Sequence, residues 1–381
     1  MPARNLVKPS GIAFIASFIQ LARASVFFEK KTMSSQSESA PSRALVIATV
    51  TFYMISGIIM CAHSFKSQMV TVNKWVLIKT SIPVFFLVIQ LAIAVVLLLI
   101  SHFARVFVIP KMSLATVKGL WKLLALNVTG LCFNNFTLQY VDASFYQVAR
   151  GMVLPLTVLI TFIAYHSLPS RNALVACVIV SSGFFIGIIW GGNAQNSISP
   201  MGVMFGVLSS ITTACHAIAI KSSLPVVDGS TMSLAWYSNF LSAIALLPIS
   251  LMIGEGPEIM RTWRDPDLLN RFIWGGTITG FWGFFICLAG LLSIKVTSPV
   301  SHMVSSAARG VIQTGVSVWL FGDIINLGRG ASISAIILGS CAYVYAKSKE
   351  AALGSPRPSG YSSLAKEDVE KALTDEQDRS D

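Results

Sequence analysis

Charged side chains are scarce in this chain of 381 residues. Asp, Glu, Lys and Arg make up 12% of it and hydrophobic residues 54%, whereas an average soluble domain is about 25% charged. A soluble enzyme could not cover its surface with so few charges, and a disordered chain would be far less apolar. The composition therefore predicts a protein that crosses the membrane several times.

Acidic residues are the scarcer sign, and the formal net charge is +11. From Ser348 onward there are 5 basic and 8 acidic residues, a net of −3, which leaves +14 on residues 1–347. In a membrane protein this excess indicates basic cytoplasmic loops or an anionic substrate. We expect no nucleic acid partner.

Cysteine patterns and enzyme motifs are missing as well. The six cysteines form no C-x-x-C pair, and the sequence has no P-loop, no G-x-S-x-G and no H-E-x-x-H motif. The cysteines are therefore expected to be packing residues rather than metal ligands or disulfides. We expect no enzyme activity, no catalytic residues, no metal and no cofactor.

Apolar stretches of about 20 residues, the length that crosses a bilayer as a helix, occur ten times. They lie near 44–63, 82–102, 120–140, 144–165, 172–191, 200–220, 232–253, 272–292, 298–321 and 330–347. We predict an all-α polytopic membrane protein whose ten transmembrane helices occupy residues 44–347. A cytoplasmic tail, 1–43, precedes them; its apolar stretch 11–28 is compatible with an interfacial helix or a signal-like segment. A disordered cytoplasmic tail, 348–381, follows.

Basic residues outside the spans predict the orientation. Placing both termini in the cytosol puts 14 Lys and Arg on the cytosolic side and 7 on the other. Five spans in each half would make the second half inverted relative to the first, giving repeats 44–191 and 200–347. The tripeptide Ala149-Arg150-Gly151 of the fourth span recurs as Ala308-Arg309-Gly310 in the ninth, as a duplication predicts.

Two arginines inside the apolar spans are the strongest indication of function. Arg150 and Arg309 would each cost about 2.5–3.5 kcal/mol at the centre of a membrane helix. None of the ten spans contains Asp or Glu, and the acidic segment from Glu255 to Asp267 is expected to be a solvated loop. Arg150 either pairs with Asp142 or extends to the membrane surface, or both arginines bind an anion. We favour an anion site, which would suit a diphosphate.

Other polar residues share helix faces with these arginines or lie in neighbouring spans. His302, Ser305, Ser306 and Arg309 follow helical spacing on one side of the ninth span. The fourth span carries Ser144 and Gln147 at the same spacing before Arg150, the third carries Asn134 and Asn135, and the seventh carries Trp236-Tyr237-Ser238-Asn239. These groups either hydrogen-bond between helices or line a cavity that binds a base or a sugar.

Three segments together resemble one family of carriers. They are Phe133 to Arg150, Leu224 to Asn239, and Lys295 to Thr314. They are similar to the triose-phosphate/nucleotide-sugar translocator group of the drug/metabolite transporter superfamily, in its GDP-fucose transporter branch. The resemblance implies a Golgi membrane antiporter that exchanges cytosolic nucleotide sugar for lumenal nucleoside monophosphate. It does not decide whether the chain forms a homodimer. Membrane lipid is the other expected partner.

The resemblance also implies roles for residues. Tyr237, Ser238 and Asn239 occupy a motif that contacts the base, and residues 306–309 occupy one that contacts sugar and phosphate. The full set of expected substrate-binding residues is Tyr53, Asn134, Asn135, Tyr146, Gln147, Arg150, Tyr237, Ser238, Asn239, Lys295, His302, Ser305, Ser306 and Arg309. Hydrogen bonding by the base motif and charge pairing by the arginines would hold the substrate while the two halves rock to alternate access.

The chain departs from the family pattern in three places. Its seventh span has Ser238 where GDP-sugar carriers usually have Asn, so both GDP-fucose and UDP-galactofuranose stay open as substrates. Arg309 stands where the family usually has Lys. Residues 61–69 are an apparent insert between Tyr53 and the Asn73-Lys74 pair. The alternative function is a proton-coupled or facilitative carrier of another small organic phosphate or metabolite.

Overall fold

The structure of the protein is a computed structural model. It describes residues 47–51, 69–141, 143–165, 168–190, 199–321 and 327–352, and within these ranges it contains helices and no strands. Thirteen α-helices follow the short helical segment 47–51: α1 Met69–Thr80, α2 Pro83–Phe103, α3 Leu114–Gly119, α4 Trp121–Tyr140, α5 Ala143–Gly151, α6 Val153–Tyr165, α7 Arg171–Trp190, α8 Pro200–Ser223, α9 Thr231–Met252, α10 Gly256–Arg264, α11 Pro266–Val296, α12 Pro299–Phe321 and α13 Leu327–Ala352. The all-α prediction is confirmed.

Five helices of the described part are long and apolar enough to cross a membrane. They are α2, α7, α8 with the 3-10 turn Leu224–Val227 that extends it, α9 and α11. The membrane character predicted from composition is thereby supported, whereas the number of ten spans stays a prediction. Several predicted segments lie outside the described residues. They are most of the first span, the tail 1–43, the tail 348–381 beyond residue 352, and most of the insert 61–69.

Short polar residues fix where these helices begin. The Ser199 hydroxyl accepts from the amide of Gly202, and Pro200 supplies the first turn of α8. The Asp265 carboxylate accepts from the amides of Asp267 and Leu268 at the start of α11. Such caps satisfy the first free amides of a helix, so the chain can turn where each helix leaves the apolar layer.

The predicted fourth span is not one helix. It is divided into α5 and α6 at Met152, whose amide bonds the carbonyl of Ala149 at 3.2 Å in a tighter turn. Pro155 explains the break, because it has no N–H for the carbonyl of Gly151 and its ring would collide with that carbonyl. Arg150 therefore lies in the last turn of a short helix, where the helix dipole favours a positive charge.

Close helix packing relies on small residues. A side chain at Gly183 of α7 would place its Cβ 2.9 Å from the backbone carbonyl oxygen of Ser332 in α13, so these two helices approach at backbone distance. Helix α2 packs along both α9 and α11, and α8 packs along α4 and α6.

The segment from Glu255 to Asp267 differs from the expected solvated loop, because most of it is helical and its first residue is buried. The segment forms α10, and Arg261 pairs with Glu258 at 3.2 Å on its exposed side. Glu255 itself is buried, with 5% of its surface exposed, because its carboxylate hydrogen-bonds the backbone of α2.

Candidate functional site: a cationic cavity inside the helix bundle

A cavity of about 290 Å³ lies inside the bundle. Residues of α1, α4, α5, α8, α11 and α12 line it, and its volume is near the lower end of the range for ligand pockets. The lining residues with polar side chains or a thiol are Asn73, Asn134, Tyr146, Arg150, Thr213, His216, Cys287, His302, Ser306 and Arg309. The cavity therefore joins both predicted halves of the chain.

Arg150 is oriented by a chain of neutral groups. Its Nη1 donates to the hydroxyl of Tyr146 at 3.1 Å, and the guanidinium carbon lies 5.7 Å from the centre of the same ring. The Tyr146 hydroxyl donates in turn to Oδ1 of Asn134, which also accepts from Ser209 at 3.4 Å. A neutral phenol, itself bonded to a neutral amide, thus fixes the direction of the guanidinium.

Arg309 is more deeply buried, with 8% of its surface exposed. It lies ten residues into α12, roughly 15 Å along the helix at 1.5 Å per residue, which is near the middle of a membrane. His302 and Ser306 of the same helix also line the cavity, as helical spacing predicts. His302 lies within electrostatic range of Arg309, Arg150 and His216.

The lining is positively charged as a whole. Among the lining residues that the structure describes there are two arginines and no Asp or Glu. Inside a low-dielectric bundle, fixed positive charges attract an anion far more strongly than they would in water. The arrangement can bind a phosphate or diphosphate, and it offers amides, hydroxyls and imidazoles to the rest of such a molecule.

The predicted base motif lies beside the cavity rather than in its lining. The Tyr237 hydroxyl donates to the carbonyl of Lys111 at 2.8 Å, and Ser238 accepts from Nδ2 of Asn127 at 3.1 Å. Nδ2 of Asn239 donates to the carbonyl of Ala235 at 2.8 Å. In this structure the three side chains therefore bond protein groups.

Other predicted site residues also lie outside the cavity lining. Nδ2 of Asn135 donates to the carbonyl of Pro83 at 2.9 Å, so this amide joins α4 to the start of α2. Lys295 is buried at the end of α11, and Ser305 donates to the carbonyl of Ser301 at 3.2 Å. Neither residue lines the cavity described above. Tyr53 and the side chain of Gln147 lie outside what the structure describes.

Sequence reasoning missed four polar or thiol-bearing lining residues, namely Asn73, Thr213, His216 and Cys287. Thr213, His216, Ala217 and Ile220 all line the cavity at helical spacing on α8. That spacing around the one histidine of the span was a signal in the sequence. Asn73 belongs to the Asn73-Lys74 pair of the family pattern, whose role the insert 61–69 puts in doubt, and the structure shows its Oδ1 accepting from Gln90 at 3.0 Å.

Five helices long and apolar enough to cross a membrane, together with a buried cavity that two arginines line, are features of a membrane transporter. The chain belongs to the Triose-phosphate Transporter family, which matches residues 53–344. Members of this family are membrane transporters and not enzymes.

Individual relatives agree with the family. The chain is 29% identical over 308 residues to GDP-fucose transporter 1 of Nematostella vectensis, covering 78% of this chain and 90% of that one. It is 34% identical over 218 residues to GDP-fucose transporter 1 of Dictyostelium discoideum, where the alignment spans only 57% of each chain. It is 28% identical over 298 residues to the Golgi GDP-fucose transporter of Drosophila melanogaster, covering 74% and 86% of the two chains.

One solved crystal structure shares the fold. It superimposes with a TM-score of 0.52 at 13% sequence identity, and the match covers 81% of this chain and 100% of that one. At this identity the likeness concerns the arrangement of helices alone.

Proposed function

We propose that the chain is a nucleotide-sugar transporter of the Golgi membrane that exchanges cytosolic nucleotide sugar for lumenal nucleoside monophosphate. The observation that carries the proposal is the presence of Arg150 and Arg309 in one central cavity whose described lining has no acidic residue. Two guanidinium groups match a diphosphate in charge and in hydrogen-bonding geometry. Relatives named GDP-fucose transporter support the same substrate class.

The sugar and the base are the finer part of this proposal. GDP-fucose follows from the relatives, and UDP-galactofuranose remains the second substrate because of Ser238 in the base motif. Arg150 and Arg309 hold the phosphates, and His302, Ser306 and Asn134 face the remainder of the molecule. Tyr237 and Asn239 help to hold the base in this proposal, and Asn239 lies within hydrogen-bonding reach of Cys287, which lines the cavity.

Exchange follows from the charge of the cavity. A cavity lined by two arginines, with no acidic residue among its described lining, should reorient slowly without an anion, because its net positive charge would have to be carried through the low-dielectric layer. A bound anion in each direction removes this penalty. Access alternates by movement of the helices around the cavity, with no covalent step.

Ten spans in two inverted repeats, 44–191 and 200–347, are part of the proposal. The packing supports them, because α2 and α9 are the second spans of the two repeats and pack together. The fifth spans, α7 and α13, also pack together. A pseudo-two-fold rotation that interchanges the two repeats would map each of these helix pairs onto itself, as inverted repeats require. Both termini in the cytosol and the homodimer stay predictions.

The decisive experiment is uptake by liposomes that contain the purified chain and are preloaded with GMP, UMP or no nucleotide. We expect uptake of one nucleotide sugar from a panel to rise at least tenfold when the matching monophosphate is inside. Uptake that ignores the internal nucleotide would contradict exchange. Uptake driven by a pH gradient and unchanged by Arg309→Ala would instead identify a proton-coupled carrier.

A further inference from the structure

The first turn of α2 has no cap of its own. The residue before the helix is Ile82, which has no side chain that could accept a hydrogen bond, and Pro83 occupies the first helical position without an N–H. The amides of Val84 and Phe85 therefore need an acceptor from elsewhere, since free amides at a buried helix end are costly.

Glu255 provides that acceptor from the other half of the chain. Its two carboxylate oxygens accept from the amides of Val84 and Phe85, each at 2.8 Å, across 171 and 170 residues of sequence. The hydroxyl of Ser250, in the last turn of α9, donates to the same carboxylate at 2.6 Å. With 5% of Glu255 exposed, the negative charge is balanced by three donors and by the positive end of the α2 dipole.

The same two helices are also joined at their opposite ends. The segment that leaves α2 reaches Lys111, whose carbonyl accepts from the Tyr237 hydroxyl of α9 at 2.8 Å. His102, in the last turn of α2, holds this segment through contacts of its Nδ1 with the carbonyl of Phe107 and the amide of Ile109. Between the two ends, α2 and α9 share one buried apolar cluster that includes Leu87, Leu91 and Leu246.

We infer that Glu255 is a positioning residue for transport, which ties α2 to α9 so that the two helices move as one body throughout the cycle. Separating them would leave a buried carboxylate and two amides without partners, a penalty much larger than that of sliding apolar side chains. Because α2 and α9 belong to different repeats, the moving bodies are not the two sequence halves. This inference rests on the proposed carrier function.

Covalent locking of the pair tests the inference. The double variant L87C/L246C places one cysteine on each of α2 and α9 within their shared apolar cluster, and I220C/M303C places one on each of α8 and α12 in the cavity lining, so that oxidation can join each pair by a disulfide whose formation is checked by mass spectrometry. Each is reconstituted, and counterflow of a nucleotide sugar is compared before and after oxidation and again after reduction. We expect the first disulfide to leave at least half of the uptake and the second to remove at least nine-tenths of it. The wild-type chain, with its six native cysteines, receives the same treatment as the control.

A rescue experiment separates positioning from general stability. Glu255→Ala should lower the uptake rate about tenfold with little change in the concentration of half-saturation, and adding the L87C/L246C disulfide should restore most of the rate. Glu255→Gln, which keeps one acceptor oxygen, should lie between. Reversible loss of uptake when α2 and α9 are locked, or no rescue of Glu255→Ala, would overturn the inference. Absence of uptake in the reduced double variants and in the wild-type chain alike would count against the proposed function instead.

Discussion

The two arginines of the cavity lie in the same tripeptide, Ala-Arg-Gly, but in different local structures. Arg150 ends a short helix that Pro155 breaks, is half-buried and donates to Tyr146. Arg309 lies inside the continuous α12 helix and is 8% exposed. The same tripeptide thus places one cation in the last turn of a short helix and one inside a long helix. We expect the more deeply buried cation, Arg309, to contribute the larger share of anion binding.

Removing the more deeply buried cation, Arg309, should have the largest effect. Truncating one member of a buried, hydrogen-bonded charge pair costs about 2–5 kcal/mol, so Arg309→Ala should weaken nucleotide binding at least about 30-fold. Arg309→Lys should lose less than about tenfold, because the charge remains and only the forked geometry is lost. Thermal shift against a nucleotide titration measures both, with counterflow as the second readout. Equal affinity in a folded Arg309→Ala protein would refute the phosphate role.

Removing the less buried cation, Arg150, should have a smaller effect. Hydrogen bonds to charged groups contribute about 1.5–3 kcal/mol, which predicts a loss of about 10- to 100-fold in affinity for Arg150→Ala. Tyr146→Phe keeps the charge and removes only the oriented hydroxyl, so it should cost several-fold. The same titration measures both variants. A ranking in which Arg150→Ala is more damaging than Arg309→Ala would reverse the comparison.

Repairing the break in the fourth span tests why the two arginines differ. Pro155→Ala restores an N–H and relieves the clash with the carbonyl of Gly151, so α5 and α6 could join into one helix. We expect the melting temperature to stay the same or rise while uptake falls several-fold, because Arg150 would leave its helix end. Pro248→Ala, inside α9, is the matched control for a proline that does not lie beside the cavity. Unchanged uptake in Pro155→Ala would show that the break is not needed.

The sequence could predict helices and buried charges better than it could predict which polar groups are already satisfied. Apolar length and helical spacing are local, so the membrane helices and the shared face of His302, Ser306 and Arg309 followed from them. Pro155 is a local signal for the break at Met152, because a proline interrupts the helical hydrogen bonds before it. The acceptor of Tyr237 and the partner of Glu255 depend on residues more than a hundred positions away, which no local pattern contains.

The base motif provides the prediction with the smallest expected effect. If the hydroxyl of Tyr237 serves only to hold Lys111, Tyr237→Phe should lower stability by about 0.5–1.5 kcal/mol and leave nucleotide affinity within about twofold. Denaturant or thermal unfolding in detergent gives the first quantity and a GMP and UMP titration gives the second. If the Tyr237 hydroxyl contacts the base, Tyr237→Phe should instead change the preference between GMP and UMP, since the substitution would remove a hydrogen bond that only one base makes. Asn239→Ala, measured in parallel, extends the test to the neighbour that lies within reach of Cys287 at the cavity wall.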